Sequence, residues 1–305
     1  MFIRQIHYLL ALAKTRHFGR AAEISHVSQP ALSNAIQHLE EELGITLIKR
    51  GQRFEGFTQE GENILQWARI LAQDWEGMRQ AALQCRQRIT GVLRIGVIPT
   101  MLAVTPLLTK PCQAEYPGIA VKLTSLCAED LIRQLDGFEL DLGLTYLDDP
   151  RLKGFRILPL YRERHVLLAR KPDLRLMQGD LSWNDVEGLP LCLLTPNMQN
   201  RHLIDAAFRQ AGVKPKVMLE TDSIFALYAH VCNAGLYSVV PHSMLSQFEM
   251  RQEIVALPLT PELSRKVGLV MRRQDLPIPI QDAAWKIAQD LNLQHRFDSL
   301  IVGGL

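Results

Sequence analysis

No run of about 18 consecutive apolar residues occurs in the 305-residue sequence, which excludes a helical membrane span. Cysteine is scarce. The five present are an odd number without CxxC spacing, so neither a disulfide framework nor a zinc module is expected, and reduced thiols in a cytosol fit better. Charge of one sign is not in excess: 34 Lys+Arg face 32 Asp+Glu, and residues 1–90 carry the whole +2. A nucleic-acid binder often shows a larger basic surplus, so any such role must appear in local placement. Charged residues at 22% beside 47% hydrophobic residues exclude a disordered or collagen-like chain. The start, Met1-Phe2-Ile3-Arg4-Gln5-Ile6-His7, lacks a basic segment followed by an apolar core, so no signal peptide is expected and the sequence reads as that of a cytoplasmic protein. Catalytic signatures are missing too: there is no GxSxG, no HExxH, no P-loop, and no GxGxxG after a strand. No catalytic residue, metal ligand or cofactor is expected, and the protein is not expected to be an enzyme.

What is present is enough chain for about two domains. Residues 1–57 predict short helices: Ile3 to Arg16 with Ile6, Leu9, Leu10 and Ala13 on one face, Gly19 to Ile24, and Ser28 to Leu43 closing at Gly44. Ile45–Phe57 is strand-like, with a basic tip at Lys49, Arg50 and Arg53. A long helix is predicted from Thr58 to Arg88, about 46 Å at 1.5 Å per residue. Its apolar residues Ile64, Ala68, Leu71, Trp75, Met78, Ala82, Cys85 and Ile89 alternate steps of four and three, a heptad seam that calls for a partner helix. From Gly91 onward, short apolar strands (Leu93–Ile98, Ala120–Leu126, Leu140–Leu144, Val166–Ala169, Leu191–Leu194, Val217–Glu220, Ser238–Val240 and Lys266–Met271) alternate with helical stretches. That order predicts parallel sheets with crossover helices, arranged as two α/β lobes around a cleft. The domains expected are 1–57, 58–90 and 91–305.

Within the third helix, Leu32, Ala35, Ile36, Leu39 and Leu43 make a buried face, and Gln29, Pro30, Ser33, Asn34 and Gln37 lie opposite, after Ser28. Pro30 is tolerable in the first turn, where its missing N–H loses no intrahelical bond. Short amides and hydroxyls on one exposed face suit hydrogen bonds to base edges in a major groove. Lys49, Arg50 and Arg53 would hold phosphates or enter the minor groove. The same spacing also suits a solvated amphipathic helix in a small bundle.

The segments Ala21-Ala22-Glu23, Val27-Ser28-Gln29-Pro30-Ala31-Leu32-Ser33, Ile36 to Gly44, Leu47-Ile48-Lys49-Arg50 and Phe57-Thr58-Gln59-Glu60-Gly61 resemble the signature of LysR-type transcriptional regulators. The match is dense over residues 1–65, and the remainder fits the family's effector-binding domain in length and order. Ile48 stands where the family commonly has Phe, Phe57 where it has Leu, and Asn34 where Arg is frequent, which bears on phosphate grip or base preference. The resemblance implies an N-terminal all-α winged helix-turn-helix with a long linker helix, then two α/β lobes like periplasmic solute-binding proteins. It further implies a homotetramer built as a dimer of dimers through the linker, double-stranded promoter DNA as partner, and a small effector in the cleft. RNA polymerase is a further candidate partner, and no membrane is implied.

Ligands of open α/β sheets sit outside the carboxyl ends of strands. That rule selects Thr100 and Met101 after the first strand, Ser125 and Cys127 after the second, Thr145 and Tyr146 after the third, and Thr195, Pro196 and Asn197 after Leu191–Leu194. The family places effector contacts after the first strand and the corresponding second-lobe strand, which maps onto Thr100, Met101, Thr195 and Asn197. Thr105-Pro106 is predicted as N-cap and first helical residue, and free amides at such helix starts would suit an organic anion. Arg201 and His202 open the next helix, so either is a candidate for facing an anionic ligand, although a solvated first-turn position is expected for each. His165, within Arg162-Glu163-Arg164-His165, is also expected on a solvated face.

Two other readings compete. A solute-binding transport protein accounts for residues 91–305 but not for the N-terminal helices. A thiol-based redox regulator would need an exposed thiol of low pKa with a resolving partner. Cys192 inside Leu191-Cys192-Leu193-Leu194 instead suggests a small buried residue.

Overall fold

The structure is a computed structural model and describes residues 3–49, 54–84, 89–170, 181–247 and 254–301. The chain forms two compact units, Met1–Arg88 and Ile89–Leu305.

The first unit packs α1 (Ile3–Thr15), α2 (Phe18–Ile24), α3 (Gln29–Leu43) and the start of α4 (Gln59–Gln84) around Ile6, Leu9, Leu12, Ala21, Ala22, Leu32, Ile36, Leu39, Leu47, Leu65 and Ala68. Local chemistry sets the helix starts. The His17 ring accepts from the Arg20 N–H at 3.3 Å and the Ser28 hydroxyl from the Ala31 N–H at 3.3 Å, each satisfying an otherwise orphan amide. Helix α3 stops at Gly44, whose φ of 68° is left-handed and strain-free only for glycine. Glu40 then accepts from the backbone N–H groups of Leu47 (2.6 Å) and Ile48 (3.1 Å), fixing the chain after the turn onto α3. Among the described residues, the predicted strand-like hairpin shows one antiparallel bridge, Ile48 to Phe57, with Lys49 N–H on the Gly56 carbonyl. Arg50 and Arg53 lie outside the described residues. Thr58 caps α4 through the Gly61 N–H at 2.9 Å. Gly61 itself sits so close to the Leu47 carbonyl that a Cβ there would collide with it, which is why glycine opens this helix.

The second unit is built on a mixed sheet, not a purely parallel one. Strands β1 (Gly91–Val97), β2 (Ile119–Ser125) and β3 (Leu142–Tyr146) are parallel, with α5 (Thr105–Glu115) and α6 (Ala128–Asp136) as crossovers. The 16-residue β4 (Phe155–Arg170) serves both lobes. Its first part pairs antiparallel with β9 (Ser264–Arg272), which continues onto β3. Its last part pairs antiparallel with β7 (Ser238–Pro241) and β8 (Ile254–Pro258). Sheet order is β2-β1-β3-β9-β4-β7, with β8 beside β4. A separate parallel pair, β5 (Pro190–Leu194) and β6 (Lys216–Thr221), lies with α7 (Gln199–Gln210) and α8 (Ile224–Ala234) in the second lobe. Helices α9 (Pro279–Gln289) and α10 (Leu293–Asp298) return to the first lobe's core through Trp285 and Phe297. Alternation could not reveal β8 or the antiparallel β4–β9 pairing, because burial on both faces erases the difference between parallel and returning strands. Thr105 is not a cap: a 3-10 turn (Pro99–Val104) runs directly into α5, Val104 occupies the cap position, and the Thr105 hydroxyl donates to the Leu102 carbonyl at 2.8 Å. No helix among the described residues is long and apolar enough to cross a membrane.

Candidate nucleic-acid interface and inter-lobe cleft

On α3 the two faces separate as expected except at Leu43, which is 40% exposed at the end of the helix, where the core of the unit no longer covers it. Leu32, Ile36 and Leu39 are core, while Ser28, Gln29, Pro30, Ser33, Asn34 and Gln37 are all exposed. Gln37 Nε2 donates to Glu41 at 3.2 Å, and Ser28 is committed to capping. The row from Gln29 to Gln37 therefore presents short polar groups on a rigid rod, the arrangement needed to enter a major groove.

The α4 seam divides into two parts. Ala68 and the half-buried Ile64 join the core of their own unit. Further along, Leu71 (39% exposed), Trp75 (42%) and Met78 (58%) face outward, and Trp67, not counted in the heptad, is 64% exposed. Cys85 lies outside the described residues. Several large apolar side chains on one helix are more than scattered surface hydrophobes.

In the second unit Thr100 after β1, Tyr146 at the end of β3 and Asn200 at the start of α7 come to one buried polar cluster around β4. Glu163 is fully buried and its carboxylate accepts three hydroxyls: Tyr146 at 2.7 Å, Tyr161 at 3.1 Å and Ser243 at 2.8 Å. Burial raises the Glu163 carboxyl above the ordinary carboxylate range, opposed by those hydrogen bonds and by Arg265. Thr100 and Asn200 both lie within hydrogen-bonding reach of the Tyr146 hydroxyl, so residues of the two lobes meet there. His165 is 1% exposed, with Nδ1 3.2 Å from the Leu263 carbonyl and Nε2 2.9 Å from Asn200 Nδ2. Its solvated placement is thereby corrected: β4 carries it through the crossing between the lobes. His242 Nδ1 accepts from the Arg164 N–H at 3.2 Å. Burial lowers both histidines to about 4. Arg265 stacks on the Tyr146 ring at 4.0 Å and pairs with Asp148.

Of the residues selected from sequence, Thr100 and Met101 are buried on the 3-10 turn, and Thr195 places a buried, unpartnered hydroxyl at the end of β5. Thr145 is buried with no partner for its hydroxyl, but alternation along β3 points it away from the face of Tyr146. Ser125, Asn197 and His202 are exposed. Cys127 caps α6, its sulfur accepting from the Asp130 N–H at 3.4 Å. Arg201 is buried, not solvated: it donates to the Leu194 carbonyl, Glu220 and Asp205 at 2.7, 2.7 and 2.8 Å. Sequence inspection missed Glu163, Gln199 and Asn200. Their only signal was position, one on a strand shared by two lobes and two at the start of α7.

Two families match the chain in tandem. Residues 3–62 fit the bacterial regulatory helix-turn-helix protein, lysR family, and residues 86–291 fit the LysR substrate binding domain. The chain belongs to the LysR family. This LysR-type regulator is 31% identical over 277 residues to a hydrogen peroxide-inducible genes activator of Haemophilus influenzae, covering 89% of this chain and 91% of the relative. It is 28% identical to the HTH-type transcriptional regulator ClcR of Pseudomonas putida, covering 80% and 84%. Its fold is that of a full-length OxyR variant from Pseudomonas aeruginosa (TM-score 0.75, 24% identity, 96% and 98% covered). It is also that of CbnR solved with its target DNA (TM-score 0.62, 21% identity, 95% and 99% covered). The protein is thus a DNA-binding transcriptional regulator with an effector-binding domain, and its family comprises regulators rather than enzymes. Among its described cysteines, Cys112, Cys192 and Cys232 are buried. Burial pushes the Cys192 thiol up to about 11 and raises Cys112 as well, leaving little thiolate at those two positions, while Cys127 is exposed.

Proposed function

We propose that this regulator reads promoter DNA through the exposed face of α3, pairs with a second copy through the outer seam of α4, and changes its grip on DNA when a small molecule binds between the lobes. The observation that carries the reading is the unbroken exposed row Gln29, Pro30, Ser33, Asn34 and Gln37, backed by buried Leu32, Ile36 and Leu39 on the same helix. Ser28, Arg50 and Arg53 complete the proposed DNA-contacting set, with the two arginines on the segment after Lys49. Leu71, Trp75 and Met78 favour α4 pairing, since a copy related by two-fold symmetry would cover the same stripe on its partner. A tetramer would follow from a second contact between such dimers. Thr100, Met101, Thr195 and Asn200 are the proposed effector set. Ser125, Cys127, Asn197 and His202 remain rim candidates, and Thr145 sits behind the strand. Operation in the cytoplasm, with RNA polymerase as the downstream partner, fits a promoter-binding role.

The deciding experiment is a gel-shift and footprinting comparison of the native chain with Gln29→Ala on its own promoter region. Loss of discrimination at one base pair in each half-site is the expected outcome, and an unchanged footprint with unchanged sequence preference sinks the assignment of α3. Thiol sensing is the second reading, favoured by the peroxide-inducible activators among the relatives. The burial of Cys192 and Cys232 speaks against it here, and a Cys192→Ser/Cys232→Ser variant that loses a peroxide response would restore it.

A further inference from the structure

The hydrogen-bond bookkeeping at the start of α7 specifies what kind of molecule the cleft can hold. The Leu263 carbonyl can only accept, so the proton of neutral His165 sits on Nδ1 and Nε2 is an acceptor. Asn200 must therefore turn Nδ2 toward that nitrogen, which leaves its Oδ1 buried without a donor. The adjacent Gln199 Oε1 and the Thr195 hydroxyl are buried and unpartnered in the same way. Buried amide oxygens without donors are rare, because the desolvation cost is then never recovered. Beside them, the first-turn N–H groups of this 12-residue helix have no partners within it, and Met198 at the cap position makes no side-chain bond.

The charges nearby are already matched or of the wrong sign for an anion. Arg265 is engaged by Asp148, and Arg201 by Asp205 and Glu220. Glu163 adds a buried carboxylate a few side chains away. A carboxylate ligand could take the helix N–H groups and the Thr195 hydroxyl proton, but it would face the lone pair of Asn200 Oδ1, whose orientation His165 fixes, with nothing to donate. A hydroxyl does both: its oxygen accepts from the helix and its proton goes to an amide oxygen.

We infer that the inter-lobe site at the start of α7 binds an uncharged, hydroxyl-bearing small molecule and discriminates against carboxylates. This rests on the reading of the cleft as the effector site, and it reverses the organic-anion expectation drawn from helix starts alone. The test is thermal shift and calorimetry on the full chain with matched neutral and acidic probes: glycerol and glycerate, glucose and gluconate, benzyl alcohol and benzoate. A neutral member of a pair is expected to raise Tm where its acid does not. Thr195→Val is expected to raise Tm of the unliganded chain, because an unpaired buried hydroxyl becomes a methyl, and to weaken the neutral probe by about tenfold. Gln199→Leu is expected to act in the same direction. An acid that binds better than its neutral partner, and is weakened by Thr195→Val, overturns the ligand class while leaving the cleft reading intact. Binding that neither variant alters overturns the cleft reading itself. No shift with any neutral probe also overturns the inference and assigns the free oxygens to buried water.

Discussion

The face of α3 and the cluster around Glu163 are both polar, yet they are built on opposite principles. The α3 residues come from nine consecutive positions, lie in solvent, and cost the fold little when changed. The Glu163 cluster draws on residues from Thr100 to Ser243, is buried, and holds carboxylate, phenol, imidazole and amide in mutual hydrogen bonds. A surface site can be altered for binding without loss of structure. A buried network ties binding to stability, because any partner removed leaves another group unsatisfied.

The sharpest way to break this contrast is Trp75→Glu. Placing a charge on the proposed seam should convert dimers to monomers in sedimentation and reduce operator affinity by about 100-fold or more, since two linked recognition helices gain that much from avidity. Unchanged sedimentation would show that the outer stripe of α4 packs elsewhere.

Next in size is the pH dependence of stability. His165 and His242 are lowered from 6.5 to about 4 in the folded chain. Between those values the unfolded chain binds more protons, so stability present above about pH 6.5 is lost as pH falls toward 4. The loss is at most about 3 kcal/mol per histidine. Glu163, whose carboxyl is raised, works in the opposite sense and offsets part of it. Denaturant titrations from pH 7 to 4 should show the fall, and His165→Gln should flatten it. A flat native profile would place both rings in solvent.

Gln29→Ala should cost about 1–3 kcal/mol of discrimination at a single base pair and leave Tm unchanged, which is the signature of the exposed class. A large drop in Tm would move Gln29 from the reading face into the packing of its domain. The smallest effect belongs to Lys49→Ala. Removing one exposed cation beside the Ile48–Phe57 bridge should weaken binding to all sequences alike and reduce the salt slope by about one. A sequence-dependent loss would instead make Lys49 a base contact.

Hydrophobic spacing, caps and the chain of motifs from Ala21 to Gly61 determine by themselves the helix-turn-helix, the start of α4 and the α/β character of the rest. The exposed row on α3 was legible for the same reason: a helix repeats every 3.6 residues, so neighbours in sequence settle which side faces the core. Only the tertiary structure decided that β4 crosses between lobes, that β9 runs antiparallel beside it, and that His165 and Arg201 are buried rather than solvated. Burial at those positions depends on segments such as Leu263, Asn200 and Glu220 that lie 19 to 98 residues away. No local period carries that information, because a strand buried on both faces looks alike whichever polar residue meets its partner across the cleft.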